Sequence, residues 1–166
     1  HLHFEFRDTK TEKIINPLFF GFDAFMTDTK KPSISSLLVY PIGDESIANE
    51  SKRPILVNLA LQQDGNYIAE KVAATGNIGF GIIAGDFDNV SYNYNGIYKV
   101  QTFSNGSANF GYEFNTLAFD EGRYINALID FPRYKSTRQR VQKLFMKNPF
   151  NLSIIKAEKN NGIIEV

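Results

Sequence analysis

Cysteine and tryptophan are both missing from this sequence of 166 residues, which has only two histidines and two methionines. Without cysteine, the chain can form no disulfide, no thiolate zinc site and no cysteine nucleophile. Metal or acid–base chemistry at histidine is confined to His1 and His3.

An excess of charge and a long apolar run are missing as well. Eighteen basic and eighteen acidic side chains cancel, so the chain lacks the basic footprint of a dedicated nucleic-acid binder. No apolar run approaches the roughly 20 residues that a membrane-spanning helix needs. A hydrophobic fraction of 43% with 22% charged residues is typical of a globular protein.

Aromatic residues are abundant, with 15 Phe and 8 Tyr, which favours β-sheet. Asp64-Gly65 and Asn105-Gly106 are hairpin turn signals between apolar stretches. Strands are predicted at the spacing of an antiparallel sandwich: Ser33 to Ile42, Pro54 to Leu61, Tyr67 to Val72, Gly76 to Ala84, Gly96 to Phe103 and Asn109 to Phe114. The glycines within Gly76 to Ala84 indicate a bulge or a close backbone approach.

One short helix is predicted near residues 136–147. Ser136 or Thr137 can cap it, and Val141, Leu144 and Phe145 follow at helical spacing. The preceding apolar stretch 124–131 fits a strand or a helix. Residues 152–155 and 163–166 are predicted as late strands.

Two units are predicted, residues 1–25 and 31–166, because residues 23–32 have the composition of a linker. In the first unit polar and apolar residues alternate from His1 to Phe6, which predicts a strand, and Ile14 to Leu18 reads as a closing strand or turn ended by Pro17. A first residue that is not Met and a final stretch that ends in mid-strand lead us to expect an excerpt of a longer protein.

The His1-Leu2-His3 triplet is the strongest functional signal. Residues i and i+2 of a strand point to the same side about 7 Å apart, so two imidazoles can approach one metal ion, or one can bind metal while the other transfers protons. Two partly exposed strand histidines without a ligand are the plainer alternative.

The longer string His1 to Arg7, followed by Ile15-Asn16-Pro17-Leu18, resembles the C-terminal end of the LytM-type (M23) zinc metallopeptidase domain. The resemblance covers about 22 residues. It implies that His3 is a zinc ligand and that His1 is the catalytic general acid/base beside the metal-bound water. It also implies hydrolysis of peptide bonds in peptidoglycan, zinc as cofactor, and a location in the periplasm or envelope of a bacterium.

The resemblance further implies that two zinc ligands precede residue 1, because nothing later in the sequence replaces them. We therefore expect this chain to be inactive by itself, although the longer protein is expected to be a zinc metalloendopeptidase.

Residues 31–166 resemble the region that follows the M23 domain in large envelope peptidases, on the strength of Gly79 to Ile82, Asn95 to Tyr98 and Arg123 to Asn126. This resemblance implies an accessory, immunoglobulin-like β-sandwich. The alternative function is a non-enzymatic module that binds cell-wall polymer or a protein partner.

Three further groups of residues have a functional and a structural interpretation. The side-chain oxygens of one probable loop could bind calcium, or they could form a turn by hydrogen-bonding their own backbone; the residues are Asp86, Asp88, Asn93 and Asn95. Tyr92, Tyr94 and Tyr98 fit a sugar platform or half-buried sheet residues. Glu121, Arg123 and Asp130 are expected to form a structural ion pair.

Overall fold

The computed structural model describes residues 3–89, 94–147, 152–156 and 160–166. Within these residues the chain is mainly β, with antiparallel sheets and short helical segments, as the sequence predicts. None of the helices there has the length and apolar character needed to cross a bilayer.

The strands are short apart from two. They are β1 Phe6–Arg7, β2 Ile14–Ile15, β3 Ser33–Ala48, β4 Ile55–Val57, β5 Leu59–Leu61, β6 Tyr67–Ala69, β7 Ala74–Phe87, β8 Tyr94–Asn95, β9 Lys99–Ser104, β10 Ser107–Glu113, β11 Thr116–Leu117, β12 Gln142–Lys143 and β13 Ile164–Glu165. The α-helix, α1, is Phe131–Thr137, and 3₁₀ segments occupy Pro17–Phe20, Phe22–Phe25, Gly122–Leu128 and Asn160–Gly162.

The long strands β3 and β7 pair along most of their length and form the centre of the main sheet. Strand β4 joins the other edge of β3, β12 and β13 pair along the other edge of β7, and β8 pairs with the end of β7. Three consecutive residues of β3, Leu38, Val39 and Tyr40, are buried. Both faces of this strand are therefore covered, which accounts for a continuous apolar run instead of alternation.

Both predicted hairpins are present. Strands β9 and β10 meet at Asn105-Gly106, whose φ angles of 50° and 79° are those of a tight hairpin turn. Strands β5 and β6 also form a hairpin around Asp64-Gly65. Its loop is longer than the two residues predicted. The hydrogen bond that closes the loop runs from the Gln62 amide to the Asn66 carbonyl.

The main core lies between the central sheet and the β9–β10 hairpin. Phe110 and Tyr112 of β10 are almost fully buried. They share one apolar cluster with Ile82 of β7, Leu128 and Ile154. These contacts hold the hairpin against the sheet.

Two glycines of β7 allow large side chains to pack closely against the strand, where the sequence predicted a bulge or a close backbone approach. A Cβ atom at Gly79 would lie 2.3 Å from the Phe145 ring, and one at Gly81 would lie 2.9 Å from the Tyr40 ring. The glycines therefore fit a sheet face on which aromatic rings rest.

The predicted helix near residues 136–147 is wrong. The helix begins at Phe131, Asp130 caps it by accepting from the Arg133 amide, and it ends when Arg138 adopts a left-handed φ of 63°. Ser136 and Thr137 are thus its last residues rather than its cap. The chain then pairs with the edge of β7 as β12, and this long-range pairing prevails over local helical spacing.

The buried positions within 138–147 belong to the extended segment. Val141, Leu144 and Phe145 are all buried there, in contact with two different clusters. Elsewhere, residues 152–156 contain an isolated bridge at Ile155 instead of a strand, and β13 confirms the predicted final strand.

The predicted N-terminal hairpin is present as antiparallel β1 and β2. Among the described residues its first strand begins at Phe6, and residues 3–5 are not strand. Strand β2 also pairs with β11, so the first 25 residues are hydrogen-bonded to the larger unit. Of the predicted linker 23–32, residues 23–25 belong to the 3₁₀ segment Phe22–Phe25, whereas residues 26–32 are exposed and contain no helix or strand. The boundary between units stays a prediction.

Candidate functional site

The candidate site lies at the N-terminal hairpin, in which Asn16 directly follows β2. The Asn16 side chain accepts from the Leu18 amide at 3.0 Å, and its backbone amide donates to the Asn115 carbonyl at 2.9 Å. Pro17 occupies the first position of the 3₁₀ turn that follows, where its fixed φ and missing N–H cost nothing. The Asn-Pro pair thus ends β2 as the sequence predicts.

His3 extends into solvent at the start of the hairpin. Its side chain is 80% exposed, and its Nε2 lies 3.7 Å from Oε2 of Glu5. That distance is an ion-pair distance and is too long for a hydrogen bond. His1, the predicted general acid/base, lies outside the described residues.

Glu5 is held by its neighbour on β1. Arg7 Nε donates to Glu5 Oε1 at 2.6 Å, and this hydrogen bond is the main cause of the lowered pKa of the Glu5 carboxyl. The Arg7 guanidinium also lies over the Phe119 ring, 4.6 Å from its centroid. A carboxylate held by Arg7 therefore lies next to an exposed imidazole, without a hydrogen bond between the two side chains.

No group of three or more His, Asp or Glu residues able to hold a metal ion occurs in the described part of the chain. A peptidase-type zinc site needs three protein ligands, and the whole sequence has only two histidines and no cysteine. The residues present do not by themselves fit the zinc that the resemblance implies.

An exposed aromatic face, which the sequence reasoning missed, covers the same hairpin. Phe6 stacks on Phe20 with a centroid distance of 4.1 Å, and Phe4 lies 5.6 Å from Phe22. The side chains of Phe4, Phe19 and Phe25 are 60%, 57% and 88% exposed. The signal was the density of phenylalanine between residues 17 and 25.

The predicted acidic loop has partners of its own. Asp86 and Asn95 face each other across β7 and β8, Asp86 accepts from the Phe87 amide, and the Asp88 carbonyl accepts from Lys30 Nζ. Asn93 lies outside the described residues. These contacts favour the turn interpretation over a calcium site.

The three tyrosines do not form one platform among the described residues. Tyr94 lies 5.0 Å from the Phe87 ring, whereas the Tyr98 hydroxyl donates to Glu113. Tyr92 lies outside the described residues. A sugar platform stays a prediction.

The ion pair predicted among Glu121, Arg123 and Asp130 does not form in the described part of the chain, because each side chain has a different partner. Glu121 is buried and accepts from the Ser153 hydroxyl at 2.6 Å. Arg123 stacks on Tyr124. Asp130 caps α1 and accepts from the Tyr40 hydroxyl at 2.9 Å.

Compared with known protein families, curated proteins and solved structures, the chain has no significant match.

Proposed function

We propose that residues 1–22 are the end of the catalytic domain of an M23-type zinc metalloendopeptidase that acts on peptidoglycan peptide bonds in the bacterial envelope. Residues 31–166 are then an accessory β-sandwich of the same protein. His3 is proposed as a zinc ligand and His1 as the general acid/base.

The motif His1-Leu2-His3 with the Asn16-Pro17 closure carries this proposal. The hairpin geometry supports it, because Asn16 ends β2 with a capped turn and Glu5 lies beside His3.

The exposed aromatic face supports the same proposal. Large apolar side chains are rarely left in water as a contiguous group unless another surface covers them. The exposed rings of Phe4 and Phe22, which lie 5.6 Å apart on the hairpin, are what the last strand of a larger domain would present to the rest of that domain.

This chain by itself is proposed to be inactive. It has two imidazoles at most, and its described residues contain no group of three His, Asp or Glu that could supply a three-ligand zinc site. Zinc analysis of the purified chain by mass spectrometry, together with a peptidoglycan hydrolysis assay, tests this. We expect neither stoichiometric zinc nor hydrolysis, and tight zinc with activity would overturn the proposal of an incomplete site.

The longer protein provides the sharper test. The coding sequence before residue 1 should encode a His-x-x-x-Asp pair, and the His3→Ala variant of the full-length product should lose its zinc and at least a hundredfold of its hydrolysis rate. Lys10→Ala, on the exposed loop between β1 and β2, is the matched control and should leave both unchanged. Full hydrolysis by the His3→Ala protein would refute the role of His3.

A further inference from the structure

A groove far from the N-terminal hairpin in sequence runs between α1, β12 and the turn before β4. It has a volume of about 830 Å³, and Tyr40, Arg53, Phe131, Arg133, Lys143 and Phe145 are among the residues that line it. This volume is in the range of pockets that hold an organic ligand.

Positive charge dominates this groove although the whole chain is neutral. Arg53, Arg133, Lys143 and Lys147 contribute four cations, and Asp130 is the one carboxylate among the described lining residues. The Asp130 oxygens are already engaged, since Oδ2 accepts from the Tyr40 hydroxyl at 2.9 Å and Oδ1 from the Arg133 amide at 3.1 Å. The groove is therefore complementary to an anion.

Lys143, like Arg133, is a partly buried cation of the groove, whereas Arg53 and Lys147 are exposed. The Lys143 side chain is half-buried on β12, and the ammonium lies 5.9 Å from the centroid of the Phe145 ring. Within the described residues no side chain or carbonyl accepts a hydrogen bond from it. Burial lowers the pKa of the Lys143 ammonium, although the nearby Asp130 opposes that change. A partly desolvated charge without an acceptor is costly, and an anionic ligand would compensate that cost.

Arg133 is positioned to assist. Its Nε donates to the Gln139 side chain at 3.0 Å, which fixes the guanidinium plane and leaves the terminal nitrogens for a ligand. A guanidinium held in this way matches the two oxygens of a carboxylate.

The rest of the groove is apolar. Phe131 is 53% exposed and Phe145 is buried, and Pro132 and Ile129 also line the groove. A small inorganic oxyanion would leave most of the groove filled with water, whereas a ligand with both an apolar body and a charged group fits both halves.

We propose that this groove binds an organic carboxylate with an apolar body, for which a short acidic peptide is the probe, with Lys143 and Arg133 at the carboxylate and Phe131 against the apolar part. The site is separate from the proposed peptidase residues and goes beyond that function. It makes the larger unit a binding module for such carboxylates.

Titration of the full chain, followed by NMR chemical shifts, tests the proposal. The probes are N-acetyl-Phe-Ala-Glu with its free carboxylates, the neutral N-acetyl-Phe-Ala-Gln amide, and inorganic phosphate. We expect saturable shifts at groove residues with the acidic peptide, and at least tenfold weaker binding of the amide and of phosphate. No saturation at the groove, or equal binding of phosphate, would overturn the proposal.

Variants locate the site. Lys143→Met should weaken binding of the acidic peptide at least tenfold, and Lys143→Arg should largely retain it. Lys135→Met, on α1 but outside the groove, is the matched control and should change binding less than twofold. Arg133→Met provides a second loss-of-charge variant at the proposed carboxylate site if Lys143→Met fails to fold. Unchanged binding by a folded variant that lacks the Lys143 or the Arg133 charge would refute the assignment.

The outcome is independent of the peptidase proposal. His3→Ala should leave peptide binding in the groove unchanged, because His3 does not line it. A loss of binding in that variant would contradict the assignment to the groove.

Discussion

Gly79 on β7 shows how a single missing side chain shapes the packing. The Phe145 ring occupies the position that a Cβ atom would need, with its nearest carbon 2.3 Å away. The ring cannot retreat easily, because Phe145 is buried and also packs against Tyr40.

Gly79→Ala should therefore destabilise the chain by about 2 kcal/mol, since overpacking a filled site forces side chains or backbone to shift. Gly96→Ala is the matched control, because open space surrounds that glycine, and its effect should stay within about 0.5 kcal/mol. Urea unfolding followed by circular dichroism measures both. Equal stability of the two variants would show that the Phe145 ring moves freely.

We expect two buried tyrosines to make the chain less stable at alkaline pH. Burial raises the pKa of the Tyr112 hydroxyl, and burial together with the hydrogen bond to Asp130 raises that of Tyr40. Unfolded tyrosine ionises near pH 10. A group whose pKa is raised on folding contributes stability that is complete below its unfolded pKa and is lost as the pH rises above it.

Above pH 10 the free energy of unfolding should fall by up to about 1.4 kcal/mol per pH unit for each of these residues. Replacing both Tyr40 and Tyr112 by Phe should flatten the decline between pH 10 and 11.5 in urea unfolding experiments. Tyr94→Phe, at an exposed position, should leave the slope unchanged. An identical slope in the double variant would contradict this origin of the pH dependence.

At the scale of elements, β3 contains a bulge, and the strand pairs with β7 on both sides of it. The register with β7 shifts between Ile42 and Ile47, and the buried Ser46 bridges the break. Its hydroxyl donates to the Ile42 carbonyl at 2.7 Å and accepts from the Asn77 amide at 2.9 Å. One side chain thus satisfies two backbone groups that the bulge removes from the ladder.

Ser46→Ala should cost about 2 kcal/mol, because two buried backbone groups lose their partner. Ser35→Ala, on the exposed part of the same strand, removes a hydroxyl that donates to the Ile83 carbonyl near solvent and should cost less than about 0.5 kcal/mol. Thermal unfolding of both variants provides the comparison. A small loss for Ser46→Ala would show that water replaces the hydroxyl at the bulge.

The helix α1 shows where the local sequence pattern and the structure differ. Asp130 and Pro132 are good signals for a helix start, yet they precede the apolar spacing of Val141, Leu144 and Phe145 that suggested a later helix. Those three side chains are buried because β12 pairs with β7 and the following residues continue into the core. Spacing alone does not reveal such a partner, since β7 lies about 60 residues earlier in the sequence.

At the scale of the whole molecule, the exposed aromatic face leaves several large apolar side chains in contact with solvent. It comprises Phe4, Phe19, Phe20, Phe22, Phe25 and Met26, all of them exposed. Exposed apolar patches of this kind promote association.

The Phe19→Ser, Phe25→Ser double variant should show less self-association in sedimentation velocity and less binding of an apolar dye than the original chain. Its melting temperature should change by less than about 3 °C, because neither residue is buried. Leu61→Ser, also exposed but on β5, is the control and should leave association unchanged. Unaltered association of the double variant would show that a different surface mediates self-association.

What the sequence by itself determined is local: the β class, the two hairpins with their glycine turns, the Asn-Pro closure and the absence of thiol chemistry. These follow from backbone preferences and from residue chemistry within a few positions. Only the tertiary structure decided that β12 replaces the predicted helix, that Asp130 binds Tyr40, and that four cations from separate segments meet in one groove. Such features depend on contacts between residues far apart in sequence, and local periodicity does not identify those partners.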